Sequence, residues 1–174
     1  MNKIIFKLIS SEELSRIQNL HFNKVFANRT VEPGFEVSAE DQKLISERRK
    51  KYAPWELLVG VYDGSEPIGW HVGYATDAET FYMKNSAVLQ EYRNKGIYSR
   101  LLEFVLDEVK KEGFQVVTSI HHGNNPGVLI PKLKRGFVIS GCEFHEKFRF
   151  LIELKFFFNP ERKKAYGKSM GLEL

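Results

Sequence analysis

The sequence predicts an α+β domain built on a mixed sheet, and three observations lead there. Residues 80–113 run from an apolar extended stretch, through a basic glycine turn (Arg93-Asn94-Lys95-Gly96-Ile97-Tyr98), into an amphipathic helix. Residues 56–62 with 67–75, and 137–144 with 147–158, have the apolar or alternating character of antiparallel strand pairs. The chain has 174 residues and is 43% hydrophobic, enough for a sizeable core without disulfides or metals.

Taken in order, residues 3–9 form the first strand. Ser10-x-x-Glu13 is a capping-box signature, in which two side chains satisfy terminal backbone N–H groups, and it opens a helix carrying Leu14, Ile17 and Leu20. A second helix covers 38–51, after a loop at 28–37. Asp63-Gly64-Ser65 turns 56–62 back onto 67–75 as a hairpin. In the helix after the glycine turn, Ile97, Leu101, Leu102, Val105, Leu106 and Val109 make one apolar stripe, while Arg100, Glu103, Asp107, Glu108 and Lys111 fall mainly outside it. Residues 115–121 read as a buried strand. Asn125, Pro126 and Gly136 suit the N-cap, the first position and the residue past the last turn of another helix, whose hydrogen bonding Pro131 interrupts. Residues 159–174 form a polar tail or a short peripheral helix.

Charge and cysteine content exclude several classes. Lys and Arg outnumber Asp and Glu by 26 to 22, a net charge of +4 that suits an anionic ligand and falls short of a nucleic-acid footprint. The run Arg48-Arg49-Lys50-Lys51 reads as a solvated helix end. Cys142 is the single cysteine, so no disulfide forms within the chain, and no neighbouring pattern marks it as a nucleophile. No apolar run has transmembrane length and no signal-peptide layout is present, so a reducing cytoplasm is the expected setting, with no membrane partner and no metal.

The glycine turn is the most informative segment. A strand that ends in a basic glycine loop and opens into a helix gathers unpaired backbone N–H groups and a positive helix end at one point, which is a site for phosphates. The donors are the amides of Asn94, Lys95, Gly96, Ile97, Tyr98 and Ser99, with Arg93 and Lys95 adding cationic side chains. Spacing excludes two nucleotide motifs. A P-loop needs a second glycine upstream and a Lys-Ser or Lys-Thr pair, and the dinucleotide fingerprint needs further glycines around Gly96.

The stretch V-L-Q-E-Y-R-N-K-G-I-Y-S-R-L-L resembles the acyl-CoA pyrophosphate loop of the GNAT superfamily of N-acetyltransferases, Q/R-x-x-G-x-G/A. Arg93 and Gly96 match; Tyr98 stands where the family has a small residue. N-P-G-V-L-I-P-K-L-K-R-G-F, from Asn125 to Phe137, is similar to the family segment in which an asparagine after the fifth strand opens a helix ending in Gly-Phe. The resemblance covers most of 56–158. It implies the GNAT fold, a mostly antiparallel central sheet flanked by helices, with residues 1–158 as a single acetyltransferase domain. It also implies acetyl-CoA as co-substrate, held by the turn and by Asn125, and transfer of the acetyl group to an amine by direct attack on the thioester. In the family an N–H of the strand before the loop polarises the acyl oxygen and the strand edge pairs with the pantetheine arm, which here implicates Val88 and Leu89. An ungapped match puts Tyr82 where some members have a glutamate base, with Glu79 just outside it, and Lys132 where the family has a tyrosine acid.

An amine of pKa about 10.4 is protonated at neutral pH, so its proton has to be removed. His121 and His122 end the fifth strand at the mouth of the expected cleft and His71 lies on another strand; imidazole suits the task. His121 and Tyr82 are the leading candidates. Lys132, read as a solvated helix residue, still offers a charge to the leaving thiolate, whose thiol has a pKa of about 8.5; Tyr98 is the alternative hydroxyl. The same residues also fit a domain that binds acyl-CoA without turning it over, and a homodimer stays open. The acceptor is not written in the sequence. Residues 22–40 are the expected specificity segment, and Phe22, Phe26, Phe35, Tyr52 and Trp55 either line a pocket or fill the core.

Overall fold

The computed structural model describes residues 3–26 and 36–171. Its strands are β1 (Ile4–Leu8), β2 (Glu56–Asp63), β3 (Glu66–Ala75), β4 (Thr80–Val88), β5 (Val116–His122), β6 (Val138–His145) and β7 (Arg149–Phe157). Its helices are α1 (Ser11–Phe26), α2 (Ala39–Lys51), α3 (Ile97–Lys111), α4 (Pro126–Lys134) and α5 (Pro160–Ser169), with a 3₁₀ turn at Gln90–Tyr92. The strands form one sheet in the order β1-β2-β3-β4-β5-β7-β6. Every neighbouring pair is antiparallel except β4 and β5. The expected α+β fold with a mixed, mostly antiparallel sheet is therefore present. Residues 28–35 of the expected first loop, Phe35 among them, lie outside the described residues.

Local signals act where they were expected. The Ser10 hydroxyl accepts from the Glu13 N–H at 3.1 Å, and Ser38 does the same for Asp41 at the head of α2. The basic run at 48–51 closes α2 in solvent. On α1 Leu14 and Ile17 are buried, but Leu20, expected on the same stripe, is 64% exposed. Residues after 159 continue as α5, capped by the Asn159 side chain and pinned by the Arg162–Glu79 ion pair at 2.9 Å and by Tyr166 against Phe157. Among the described residues, no helix is long and apolar enough to cross a membrane.

The sheet buries both faces. All six residues of the α3 stripe are buried and join Leu57, Val59, Val61, Phe81, Met83, Val117 and Leu154 in the larger core. On the opposite face, Leu14 and Ile17 of α1 pack with Tyr62, Trp70 and Ala87. Two bulges decide which side chains reach which face. The β2–β3 register shifts between Val61 and Tyr62, and the β3–β4 register shifts after Val72–Asn85 so that Gly73 pairs with Met83 and Lys84 is the extra residue. Along β4, odd positions (Phe81, Met83) face α3 before the bulge, and even positions (Ser86, Val88) face it afterwards.

The single parallel pair is short. β4 and β5 pair only at Thr80–Val116, Phe81–Val117 and Tyr82–Thr118, after which each strand runs on without the other. Close packing beside this junction requires Gly73, because a methyl group there would overlap the buried Phe81 ring and crowd the Tyr82 carbonyl. Gly73→Ala should therefore lower stability by about 1–3 kcal/mol, as overpacked cores do. A urea titration checks this: the midpoint should fall with the slope unchanged, and an unaltered midpoint would mean the sheet yields at no cost.

Candidate active site

The site is built around the parting of β4 from β5. The Leu89 N–H donates to the Ile68 carbonyl at 2.9 Å. In an antiparallel ladder such bonded positions alternate with unbonded ones, so the amides of Ala87 and Asn85 also face β3, while those of Val88 and Ser86 face the side that β5 has left open. Of the two residues implicated from sequence, Val88 has an available edge amide and Leu89 does not. Ser86 is a donor that the sequence reading missed.

Beyond β4 the chain makes the phosphate-type turn. Asn94 and Gly96 both take left-handed backbone conformations, with φ of 60° and 72°. A Cβ on Gly96 would meet nothing within 4 Å, so glycine is favoured by the dihedral and not by crowding. The first helical bond of α3 runs from the Arg100 N–H to the Gly96 carbonyl, which leaves the amides of Ile97, Tyr98 and Ser99 without an acceptor in their own helix. The Arg93 Nε donates to the Val88 carbonyl at 3.0 Å, and among the described residues its two terminal nitrogens make no hydrogen bond. Lys95 folds back instead: its Nζ donates to the Glu91 carbonyl at 2.8 Å and lies 5.2 Å from the Tyr92 ring centre.

A cleft of about 630 Å³ opens where the strands part, lined by Tyr82, Tyr98, His121, Asn125 and Lys132 among others. It reaches both faces of the sheet. Sheet register puts His121 on the α3 and α4 side, with Ser86 and Met83, whereas His122 shares the opposite side with Tyr82 and Tyr74. Phe22 and Phe26 of α1 line that opposite side, while Trp55 packs into the core and Tyr52 stays exposed. Asn125 stands at the head of α4, where its carbonyl accepts from Val128 and Leu129.

Lys132 departs most from expectation. Read as a solvated residue, it is 1% exposed. The end of α4 explains why. Gly136, at φ 101°, donates to the Leu133 carbonyl, and Phe137 donates to the Lys132 carbonyl; this paired closure brings the residue after the glycine against the third from the helix end. The Phe137 ring thereby covers Lys132, with Nζ 5.0 Å from the ring centre and 3.4 Å from the Met83 sulfur. Among the described residues no carboxylate pairs with it. Burial without a counter-charge pushes its ammonium down to about 7.

Neighbouring groups are shifted as well. His71 is fully buried, with Nδ1 2.8 Å from the Ser86 hydroxyl, and burial, reinforced by the Lys132 charge, pushes its imidazolium down to about 3. At neutral pH His71 is uncharged and returns no charge to Lys132. Burial raises the Tyr82 phenol above its ordinary value, aided by Tyr74, Glu143 and Glu153, so Tyr82 stays protonated and is a poor base. Burial raises Tyr98 as well, and among the described residues its hydroxyl has no hydrogen-bond partner. Glu79 sits at the far end of β4, held by Arg162, and is removed from any part in the cleft.

A mostly antiparallel sheet that parts at its single parallel pair, with two helices starting at the parted ends, defines an acetyltransferase fold. The chain belongs to the GNAT acetyltransferase family, whose sequence model matches residues 22–129, more than half of its length. No curated protein sequence matches it. Among solved structures it is similar to yncA from Salmonella typhimurium with its cofactor acetyl-CoA, at 12% identity and a TM-score of 0.66, with 91% of this chain and 95% of that one covered. It is similar to the ribosomal-protein-S18-alanine N-acetyltransferase from Escherichia coli, at 14% identity and TM-score 0.66, over 90% and 95% of the two chains. A GNAT family acetyltransferase from Elizabethkingia anophelis with acetyl-CoA bound is also similar, at 18% identity and TM-score 0.58, over 91% and 100%. At these identities the likeness concerns the fold.

The buried lysine has a thermodynamic signature. An unfolded lysine keeps its proton to about 10.5 and the folded one releases it near 7, so between those values the unfolded state binds more protons and stability rises with pH. His71 acts likewise between about 3 and 6.5, so acidification through that window destabilises the fold. Lys132→Met should flatten the alkaline rise and stabilise the protein at pH 7 by about 1–4 kcal/mol. Denaturant midpoints at pH 6 to 10 check this; parallel curves for the two proteins would show that Lys132 is not charged in a dry site.

Proposed function

We propose that this protein transfers an acetyl group from acetyl-CoA to an amine by direct attack on the thioester. The observation that carries the reading is the parting of β4 and β5, which leaves an unpaired strand edge leading to the N-terminus of α3. The acetyl-CoA named with two of the similar structures supports it.

In this reading the amides of residues 94–99 and the free nitrogens of Arg93 hold the diphosphate. The edge amides of Val88 and Ser86 pair with the arm, and one of them donates to the acyl oxygen as charge develops there. The amine enters from the Tyr82 side. Attack forms a C–N bond, and collapse of the tetrahedral oxyanion breaks the C–S bond. Lys132 is suited to the departing sulfur: an ammonium of pKa about 7 is a stronger acid than a thiol of about 8.5, so proton transfer to the thiolate runs downhill. Tyr98 and Tyr82, both raised by burial, would donate uphill, and Tyr82 serves to position the acceptor. Of the two imidazoles at the end of β5, His122 shares the Tyr82 side and takes the amine proton, while His121 lies on the Lys132 side beside the thioester.

Acetyl-CoA should bind in calorimetric titration, and Arg93→Ala should weaken that binding about ten-fold, the size of a charge-assisted hydrogen bond. Absence of binding heat and of competition by CoA would end the proposal. Lys132→Ala should reduce kcat by tens of fold at pH 6 with CoA affinity retained, roughly the usual share of a general acid. The gap should narrow as pH rises through about 7, because the wild-type lysine then loses its proton as well. A gap independent of pH would remove Lys132 from the proton transfer.

A further inference from the structure

The side of the cleft opposite Lys132 has its own chemistry, and we propose that it selects a monoamine carried on an aromatic or arylalkyl skeleton. This deepens the acetyl-transfer reading above and rests on it. Sheet register brings Tyr74 and Tyr82 together as cross-strand neighbours, their rings edge-to-face with centres 5.5 Å apart. Across the cleft, Phe148 packs on His145 at 4.8 Å and stands edge-to-face to His122 at 6.1 Å. Phe22 and Phe26 of α1 close the remaining wall, resting on the buried Trp70. Such walls favour a flat apolar body, which gains both area and edge-to-face geometry from them.

Charge on this side favours an ammonium on that body. Among the described residues lining the cleft, Glu143 is the one carboxylate. β6 and β7 register places it on the Tyr82 side, through its pairing with Leu151 opposite His122, and its field is felt at the Tyr82 phenol. An ammonium between the tyrosine ring faces and Glu143 is attracted by both. Among the described residues lining the cleft, two lysines bound the site: Lys84, the extra residue of the β4 bulge, with Nζ 5.9 Å from the Tyr74 ring centre, and Lys132, deeper and on the other side of the sheet. A polyamine would bring its second charge against one of them, whereas a monoamine would not.

The test compares 2-phenylethylamine, n-butylamine and spermidine as acceptors with saturating acetyl-CoA, together with protein-observed NMR of the Tyr74 and Tyr82 rings on adding 2-phenylethylamine. We expect kcat/KM for 2-phenylethylamine to exceed the other two by at least ten-fold. Glu143→Gln and Tyr74→Ala should each cut it about ten-fold, chiefly through KM, with circular dichroism unchanged. Equal use of n-butylamine, or better use of spermidine, in a protein that binds acetyl-CoA would overturn the acceptor assignment alone. Ring shifts with 2-phenylethylamine in a protein that ignores acetyl-CoA would support the aromatic-amine site and sink the acetyl-transfer reading. Failure of both measurements would overturn both.

Discussion

The brevity of the β4–β5 pairing governs the rest of the structure. Three residue pairs hold the two strands together, and beyond them the interior of a seven-stranded sheet is left unzipped. Unpaired backbone groups inside a sheet need a partner, and with β5 gone the open edge of β4 presents the amides of Ser86 and Val88 to whatever enters. The parting also brings two helix N-termini, those of α3 and α4, to the ends of the diverging strands, and joins the two faces of the sheet through a single cleft. Donors, positive helix ends and access thus arise from one topological feature.

The two faces that meet in the cleft are chemically distinct. One carries Lys132, His71 and Ser86, with a cation that pairs with no carboxylate among the described residues; the other carries Tyr74, Tyr82 and Glu143. A buried unpaired ammonium destabilises a fold, and it persists here because the closure of α4 fixes the lysine stem beneath Phe137 while the α3 stripe and its sheet partners supply a large core. Local cost retained in a stable scaffold is characteristic of sites kept for chemistry.

Much of this was legible in the sequence, and the reasons for the rest are physical. The α3 stripe, the glycine turn and the Asn125 and Gly136 ends of α4 are strong local patterns, and each element formed where its pattern lay. Strand parity was hidden. Continuous alternation along β4 would put Ser86 and Val88 on the side of Tyr82, and only the bulge at Lys84 moves them to the side of Lys132. The engaged amide of Leu89 depends on Ile68, itself displaced by the β2–β3 bulge. Lys132 reads as solvated because lysines usually are, and its burial follows from a helix closure that the glycine signals but whose fold of Phe137 over the third residue from the helix end depends on tertiary packing. Glu79 looked like a candidate near the strand until α5, a segment with little sequence signal, brought Arg162 to it.

Amide hydrogen exchange resolved by residue along β4, with and without acetyl-CoA, addresses the open edge most directly. The amides of Ala87 and Leu89, bonded to β3, should be protected in both states, whereas those of Ser86 and Val88 should exchange faster in the free protein and slow markedly once acetyl-CoA is added. If acetyl-CoA binds and Ser86 and Val88 exchange as before, the arm does not lie along the parted strand, and the site must be sought elsewhere on the molecule.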